Sequence, residues 1–291
     1  MNGGNQPVRR LGGTAVALET AFLTSGLPSE VRLEAVERIT AAVRAHGPEP
    51  AFIGVVAGQP IVGLDPDELQ LLAQQETKLS TRDLSAAVAR GEHGGTTVAA
   101  TIFLASRAGL AVAATGGIGG VHPASGGTDV SADLYELART PIILVCSGAK
   151  AIVDLPATLE RLETLGVTVV GFGTREFPSF YSAESGLTLD LSADSPEEVA
   201  RIWRGARSLG VPGAMLVCVP PPAEVALSRQ ETEAAVSRAL SDLDMAGISG
   251  PGVTPFLLGR IAHHTGGRSL TSNLGLLANN AAVAASIARL I

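Results

Sequence analysis

The chain has 291 residues, of which 46% are apolar and only 3% aromatic, with a formal net charge of −7. A core of Ala, Val, Leu and Ile can sustain a stable enzyme of one large α/β domain or two smaller ones. The acidic balance argues against nucleic-acid binding through a basic surface, and no apolar run is long enough for a membrane span.

In chain order, residues 1–12 (MNGGNQPVRRLG) read as a polar, Gly-rich disordered leader. No stretch there joins basic residues to a long apolar run, so no signal peptide is expected. Short apolar runs then predict strands at Thr14–Leu18, Ala51–Val56, Leu110–Ala114, Ile142–Cys146, Val167–Gly171 and Ala214–Val219. Amphipathic patterns predict helices at Ser29–Ala45, Asp65–Gln75, Thr96–Arg107, Ser131–Arg139, Pro156–Leu165 and Pro196–Ser208. Strands that are apolar throughout and separated by helices predict an α/β fold, with a central, mainly parallel sheet flanked by helices. From Pro222 onward the pattern is helical without a strand signal, and these helices are expected over one side of the sheet. With no internal repeat or linker, residues 13–291 read as a single domain. Cys146 and Cys218 lie inside apolar runs, as expected of buried, reduced thiols in a cytoplasmic protein.

Two lysines, Lys78 and Lys150, stand against nineteen arginines. An amine can shed its proton and act as a nucleophile, whereas a guanidinium stays charged. Lys150 closes the run Cys146-Ser147-Gly148-Ala149-Lys150, and both lysines fit loop positions at strand ends, where such folds gather function. Glu19 ends the first strand, and partial desolvation there should raise its pKa towards the range useful for proton transfer. Gly94-Gly95-Thr96-Thr97-Val98 opens a helix, which can present N–H groups to a phosphate. Thr115-Gly-Gly-Ile-Gly-Gly-Val-His122 fails as a dinucleotide fingerprint because His122 occupies the third glycine position. Its glycines are expected to let the backbone lie close to a ligand or metal. Ser131 can cap the next helix with Asp133 in its first turn. Asp129 precedes that cap, and a single carboxylate with waters is one way to hold Mg²⁺ or Mn²⁺. Zinc is not expected without a His/Cys cluster, and His263-His264 reads as a surface or packing pair.

Read in order, Glu19, Lys78, GGTTVAAT, TGGIGGVH, TDVSADL and SGAK resemble the pseudouridine-5′-phosphate glycosidase family. The likeness continues through Gly173-Thr174, Phe177-Pro178, Thr254-Pro-Phe-Leu-Leu, Thr265-Gly-Gly, Asn273 and Asn279-Asn280, covering nearly everything from Leu18 onward. The resemblance implies an enzyme that makes or breaks the C–C bond between C1′ of ribose 5-phosphate and uracil. It implies Lys150 as the Schiff-base nucleophile and Glu19 as the proton shuttle. Lys78 would lie near the ribose phosphate, its charge helping to keep Lys150 neutral. Thr97 and Val98 would bind the phosphate end, and Ser131, Ala132 and Asp133 would contact substrate, as would His122 from the glycine motif. Asn273 would point towards the base, and Asp129 would hold Mn²⁺ mainly through water. The implied assembly is a homotrimer.

Departures cluster in loops. The family's Leu-Glu-Ser-Thr is Leu18-Glu19-Thr20-Ala21 here, its His-Gly pair is Ser25-Gly26, and its Pro-Tyr-Pro-like segment is Pro28-Ser29-Glu30-Val31. Pro123 stands where the family usually has Arg. Uracil needs paired hydrogen bonds, so losing donors around it should cost affinity. A flatter aromatic polyketide acceptor, as in alnumycin formation, tolerates such losses. Uracil and an aromatic polyketide therefore stand as alternative aglycones.

Overall fold

A computed structural model describes residues 14–123, 129–248 and 252–291. The leader expected at 1–12 and residues 124–128 lie outside the described residues. The strands are β1 (Ala15–Leu18), β2 (Glu49–Val56), β3 (Gln59–Val62), β4 (Lys78–Leu79), β5 (Gly94–Thr96), β6 (Val112–Ala114), β7 (Ile143–Cys146), β8 (Thr168–Phe172), β9 (Ser192–Ala193) and β10 (Met215–Cys218). The helices are α1 (Arg32–Arg44), α2 (Pro66–Leu72), α3 (Leu84–Arg90), α4 (Val98–Arg107), α5 (Ala132–Arg139), α6 (Leu155–Thr164), α7 (Pro196–Ser208), α8 (Arg229–Ala246), α9 (Val253–His264) and α10 (Arg268–Ala288).

The strands form one sheet in the order β4-β5-β2-β1-β6-β7-β10-β8-β9, with β3 paired to β2. The pairings are parallel except those of β2 with β3 and with β5. Every residue of β1, β6, β7 and β10 is buried. That is why their sequences are apolar throughout: a strand covered on both faces has no polar side to alternate with. α10 packs on β1, β6 and β7 beside α1 and α7, while α4 packs on β1, β2, β5 and β6 beside α5. Each fully buried Val, Leu or Ile in these layers contributes about 1.5–3 kcal/mol. Cys146 and Cys218 are free, buried and directly opposed in the β7–β10 register. Burial pushes the Cys218 thiol well up. No helix among the described residues is long and apolar enough to cross a membrane.

The six predicted strands and six predicted helices all form, with ends displaced by a few residues. The Ser29–Ala45 helix begins with a 3-10 turn at Ser29–Val31 before α1. Gly94–Thr96 does not open a helix: it is strand β5, wedged between β2 and β4, and α4 starts only after Thr97. β3 completes a hairpin with β2 through the two-residue turn Ala57-Gly58. It escapes the apolar pattern because Pro60 interrupts it, a residue that sheets accept at an edge. The C-terminal helices do not form one uniform layer. α8 and α9 pack on each other, whereas α10 lies in the core against the central strands.

Candidate active site

The C-terminal ends of β1, β6 and β7 deliver three segments to one place, the position where ligands bind in open α/β sheets. Glu19 follows β1, Thr115–Gly117 follow β6, and Ser147–Lys150 follow β7. The parallel pairing of β6 and β7 runs on beyond both strands. Ser147 N–H donates to Gly116 O at 2.8 Å, Ile118 N–H to Gly148 O at 3.1 Å, and Lys150 N–H to Ile118 O at 2.9 Å. The backbone of Lys150 is therefore fixed by sheet-like bonds although it lies in a loop. Gly148 makes this path possible. Its φ is +72°, and a Cβ there would sit 1.9 Å from the Pro178 carbonyl oxygen. Phe180 closes the same corner, left-handed at φ 65° and donating its N–H to Ser147 O at 3.0 Å.

Glu19 is held from both sides. The Thr115 hydroxyl donates to its Oε2, and the next residue, Thr20, is buried in a hydroxyl network. Thr20 Oγ1 donates to Ile53 O at 2.5 Å and accepts from Thr96 N–H at 3.0 Å. Burial raises the Glu19 pKa against the opposing pull of Lys150, Thr115 and Lys78, and the nearby Asp133 charge adds to the rise. Lys78 does not occupy the loop position expected of it: it opens the two-residue strand β4, opposite Gly95, because β5 recruits this segment into the sheet. Burial lowers its pKa, as does the charge of Lys150, while Glu19 and Asp133 oppose the fall. The two amines and the carboxylate thus form one electrostatically coupled group.

These residues line a cavity of about 410 Å³ that also takes in Thr97, Val98, His122, Asp129, Ser131, Ala132, Asp133 and Asn273. Every site residue expected from the sequence is brought together here. Thr97 caps α4, its Oγ1 accepting from Ala100 N–H at 3.5 Å. The buried carboxylate of Asp133 accepts from Ala99 N–H at 2.9 Å and from Gly119 N–H at 2.8 Å. It ties the start of α4 to the glycine loop, so only the first helical N–H, that of Val98, is left without a partner among the described residues. Ser131 caps α5 by accepting from Asp133 N–H at 3.2 Å. Gly116, Gly117 and Gly119 line the cavity, and the glycines also make room for protein: a Cβ on Gly117 would strike the Phe180 ring, and one on Gly119 would strike Ser131.

His122 N–H donates to Asp129 O at 2.9 Å, bringing these two residues together at the cavity. Asp129 is exposed at its edge, and no cluster of three or more His, Cys, Asp or Glu is found among the described residues. One accessible carboxylate with room for water suits a hard divalent cation that keeps most of its hydration shell. Asn273 projects from α10, buried yet with no side-chain hydrogen-bond partner among the described residues.

Three supporting residues were given no role from the sequence. Thr115 could have been given one: like Glu19, it is the first polar residue after an apolar strand. Asn280 is a buried amide on α10, and its Nδ2 donates to Thr115 O at 2.9 Å and to Ser147 Oγ at 3.1 Å. Phe180 carries no sequence signal, since its role depends on a backbone conformation unusual for a phenylalanine. A second cavity of about 230 Å³ adjoins the first, sharing Ser25, Gly26, Leu258 and Asn273 with it. Ser25 and Pro28, both at departures from the family pattern, line this second chamber, although Ser25 lies in a short π-helix at Phe22–Gly26 and not in a loop.

Comparison with known proteins gives consistent neighbours. The family described as "Indigoidine synthase A like protein" matches residues 8–290. The chain is 51% identical over 284 residues to the pseudouridine-5′-phosphate glycosidase of Chloroflexus aurantiacus, covering 95% of this chain and 93% of that protein. It is likewise 51% identical over 279 residues to that of Gemmatimonas aurantiaca, covering 95% and 91%. Among solved structures, it superposes on an indigoidine synthase A-like protein from Thermotoga maritima with a TM-score of 0.88, at 38% identity and 94% and 92% coverage. The prealnumycin C-glycosynthase AlnA, in complex with ribulose 5-phosphate, gives a TM-score of 0.86 at 35% identity and 95% and 91% coverage.

Proposed function

Because the chain belongs to the pseudouridine-5′-phosphate glycosidase family (Indigoidine synthase A-like), we propose that it makes or breaks the C–C bond between C1′ of ribose 5-phosphate and uracil. The observation that carries this reading is the convergence of Lys150, Glu19 and Lys78 on one cavity at the strand ends. The 51% identity to a curated glycosidase supports it.

In the cleavage direction, neutral Lys150 adds through Nζ to C1′. The C1′–O4′ bond breaks, and O4′ takes the proton of Glu19. The new secondary ammonium returns a proton to Glu19, which delivers it to the uracil carbon as the C1′–C bond breaks. The nitrogen lone pair completes an iminium at C1′, and water then releases ribose 5-phosphate and frees the lysine. This route answers the central difficulty: a C-glycoside has no heteroatom leaving group, so the lysine nitrogen supplies the electron pair that expels the carbon, and the uracil ring, protonated at that carbon, takes up the bonding pair. A carboxyl group with a raised pKa is the right donor for such transfers.

Thr97, Val98 and Lys78 would hold the phosphate end, with Val98 N–H at the positive end of α4. Ser131, Ala132, Asp133 and His122 would wall the sugar, and Asn273 would offer its free amide to the base. Asp129 would hold Mn²⁺ largely through water, and the ion would supply positive charge beside the substrate's oxygens. The working form is a homotrimer in the cytoplasm, on the family's pattern.

AlnA supports a second reading, transfer of the ribosyl phosphate to an aromatic polyketide, although its identity to this chain is lower. Incubation with pseudouridine 5′-phosphate and Mn²⁺ decides between the two. Brisk uracil release is expected. No release, with Lys150 still trapped by ribose 5-phosphate and borohydride, would leave the sugar chemistry standing and favour the other acceptor.

A further inference from the structure

We infer that the second chamber is an extension of the aglycone site, admitting an uncharged flat ring or aryl substituent that projects past Asn273 away from the ribose. This rests on the reading above, in which Asn273 faces the base. Contiguity is the first support. Ser25, Gly26, Leu258 and Asn273 belong to both cavities, so a ligand bound in the first has an adjoining space of about 230 Å³. The first cavity alone lies within the range typical of small-molecule sites, so the second is additional room.

The walls specify the chemistry of what enters. Pro255, Leu258, Gly259 and Ala262 fall at helical i, i+3, i+4 and i+7 positions and present one face of α9 to the chamber. Pro28 and Leu270 add further apolar surface, and Tyr181 contributes an aromatic ring. The one buried cation there, Arg32, is fully committed. Its Nε donates to Leu27 O at 3.0 Å, Nη1 to Ala73 O at 2.9 Å and Gln75 O at 3.3 Å, and Nη2 to Thr24 O at 3.3 Å and Glu76 Oε1 at 3.2 Å. The Tyr181 hydroxyl is engaged with Ser269, and burial holds it neutral. An anionic occupant finds no free cation there, and the one carboxylate on the wall, Glu76, is paired with Arg32. A neutral aromatic ring finds apolar contact, an aromatic neighbour and the unpartnered amide of Asn273 at the junction.

Gly259 offers a direct test, because a Cβ added there meets no atom within 4 Å and the residue does not line the first cavity. Release of the free base would be followed, uracil from pseudouridine 5′-phosphate and the benzyluracil from its N1-benzyl and N3-benzyl derivatives, using wild type, Gly259→Phe and Ala262→Phe. The second variant, on the same face of α9, guards against one substitution misfolding. Wild type should process at least one benzyl compound within about tenfold of the parent, and each Phe variant should spare the parent while losing at least about tenfold on the derivative. Rejection of both derivatives by wild type, or equal loss on parent and derivative in the variants, would overturn the inference. If the parent itself releases no uracil, the proposed function fails. Calorimetric binding of the same compounds then makes the same comparison for the chamber.

Discussion

The hydroxyl of Thr115 donates a hydrogen bond to the carboxylate of Glu19, joining the ends of two adjacent strands, β1 and β6, at the floor of the cavity. The bond favours the charged carboxylate, opposing the burial that raises its pKa. Thr115→Val should therefore move the Glu19-dependent limb of the kcat/KM profile to higher pH. Activity at neutral pH should fall on the order of tenfold or more, as for misplaced acid–base groups. A profile that drops uniformly without shifting would mean that Thr115 serves only packing.

The same raised pKa makes stability depend on pH. Folded Glu19 binds its proton more tightly than the unfolded chain does, so its contribution diminishes as pH rises from the ordinary carboxylate range through the higher folded pKa. Glu19→Gln removes this dependence. The melting temperature of the variant, measured relative to wild type, should become more favourable as pH increases across that window. A difference that stays constant with pH would contradict the burial argument.

Lys150→Arg retains the positive charge but cannot form an imine. Borohydride in the presence of ribose 5-phosphate should add mass to wild type and none to Lys150→Arg or Lys150→Ala. Turnover in both variants should fall at least about a thousandfold, as for a lost nucleophile. An adduct on Lys150→Ala would assign the chemistry to another amine, with Lys78 the evident candidate.

Gly148→Ala should damage stability and activity together. Its positive φ and the Pro178 carbonyl both exclude a side chain, and strain of this kind costs about 1–3 kcal/mol before any clash is relieved. Chemical denaturation would register the loss. Ala at Gly210, which also has positive φ but nothing near its Cβ, is the control that separates backbone strain from collision.

Replacing Asp129 with Ala should weaken the dependence of turnover on added Mn²⁺, read as a higher half-saturating metal concentration. An unchanged titration would remove Asp129 from any metal role.

The central strands were legible because burial on both faces leaves a sequence no polar alternation, and Lys150 and Glu19 were legible because each ends such a run. Less could be read where local sequence and tertiary demand diverge. Gly94-Gly95 looks like the approach to a helix, yet β2 and β4 recruit it as a strand. The loop glycines line the cavity, but their tight contacts with Phe180 and Ser131 could not be read from the sequence. Asn280 shows its function only once α10 is laid against β6 and β7, because its partners lie far away in sequence.

That placement of α10 also bears on how the molecule acquires its native state. The helix covers β1, β6 and β7, yet it follows all of them in the chain. Glu19 and Lys150 are likewise brought together only by strands distant in sequence. Contacts so non-local form slowly, after the loop-closure entropy has been overcome. A chain interrupted before α10 leaves an apolar sheet face bare and Thr115 and Ser147 without their amide partner. Recovery of activity during refolding should therefore lag behind the return of helical signal, with aggregation the competing fate during that interval.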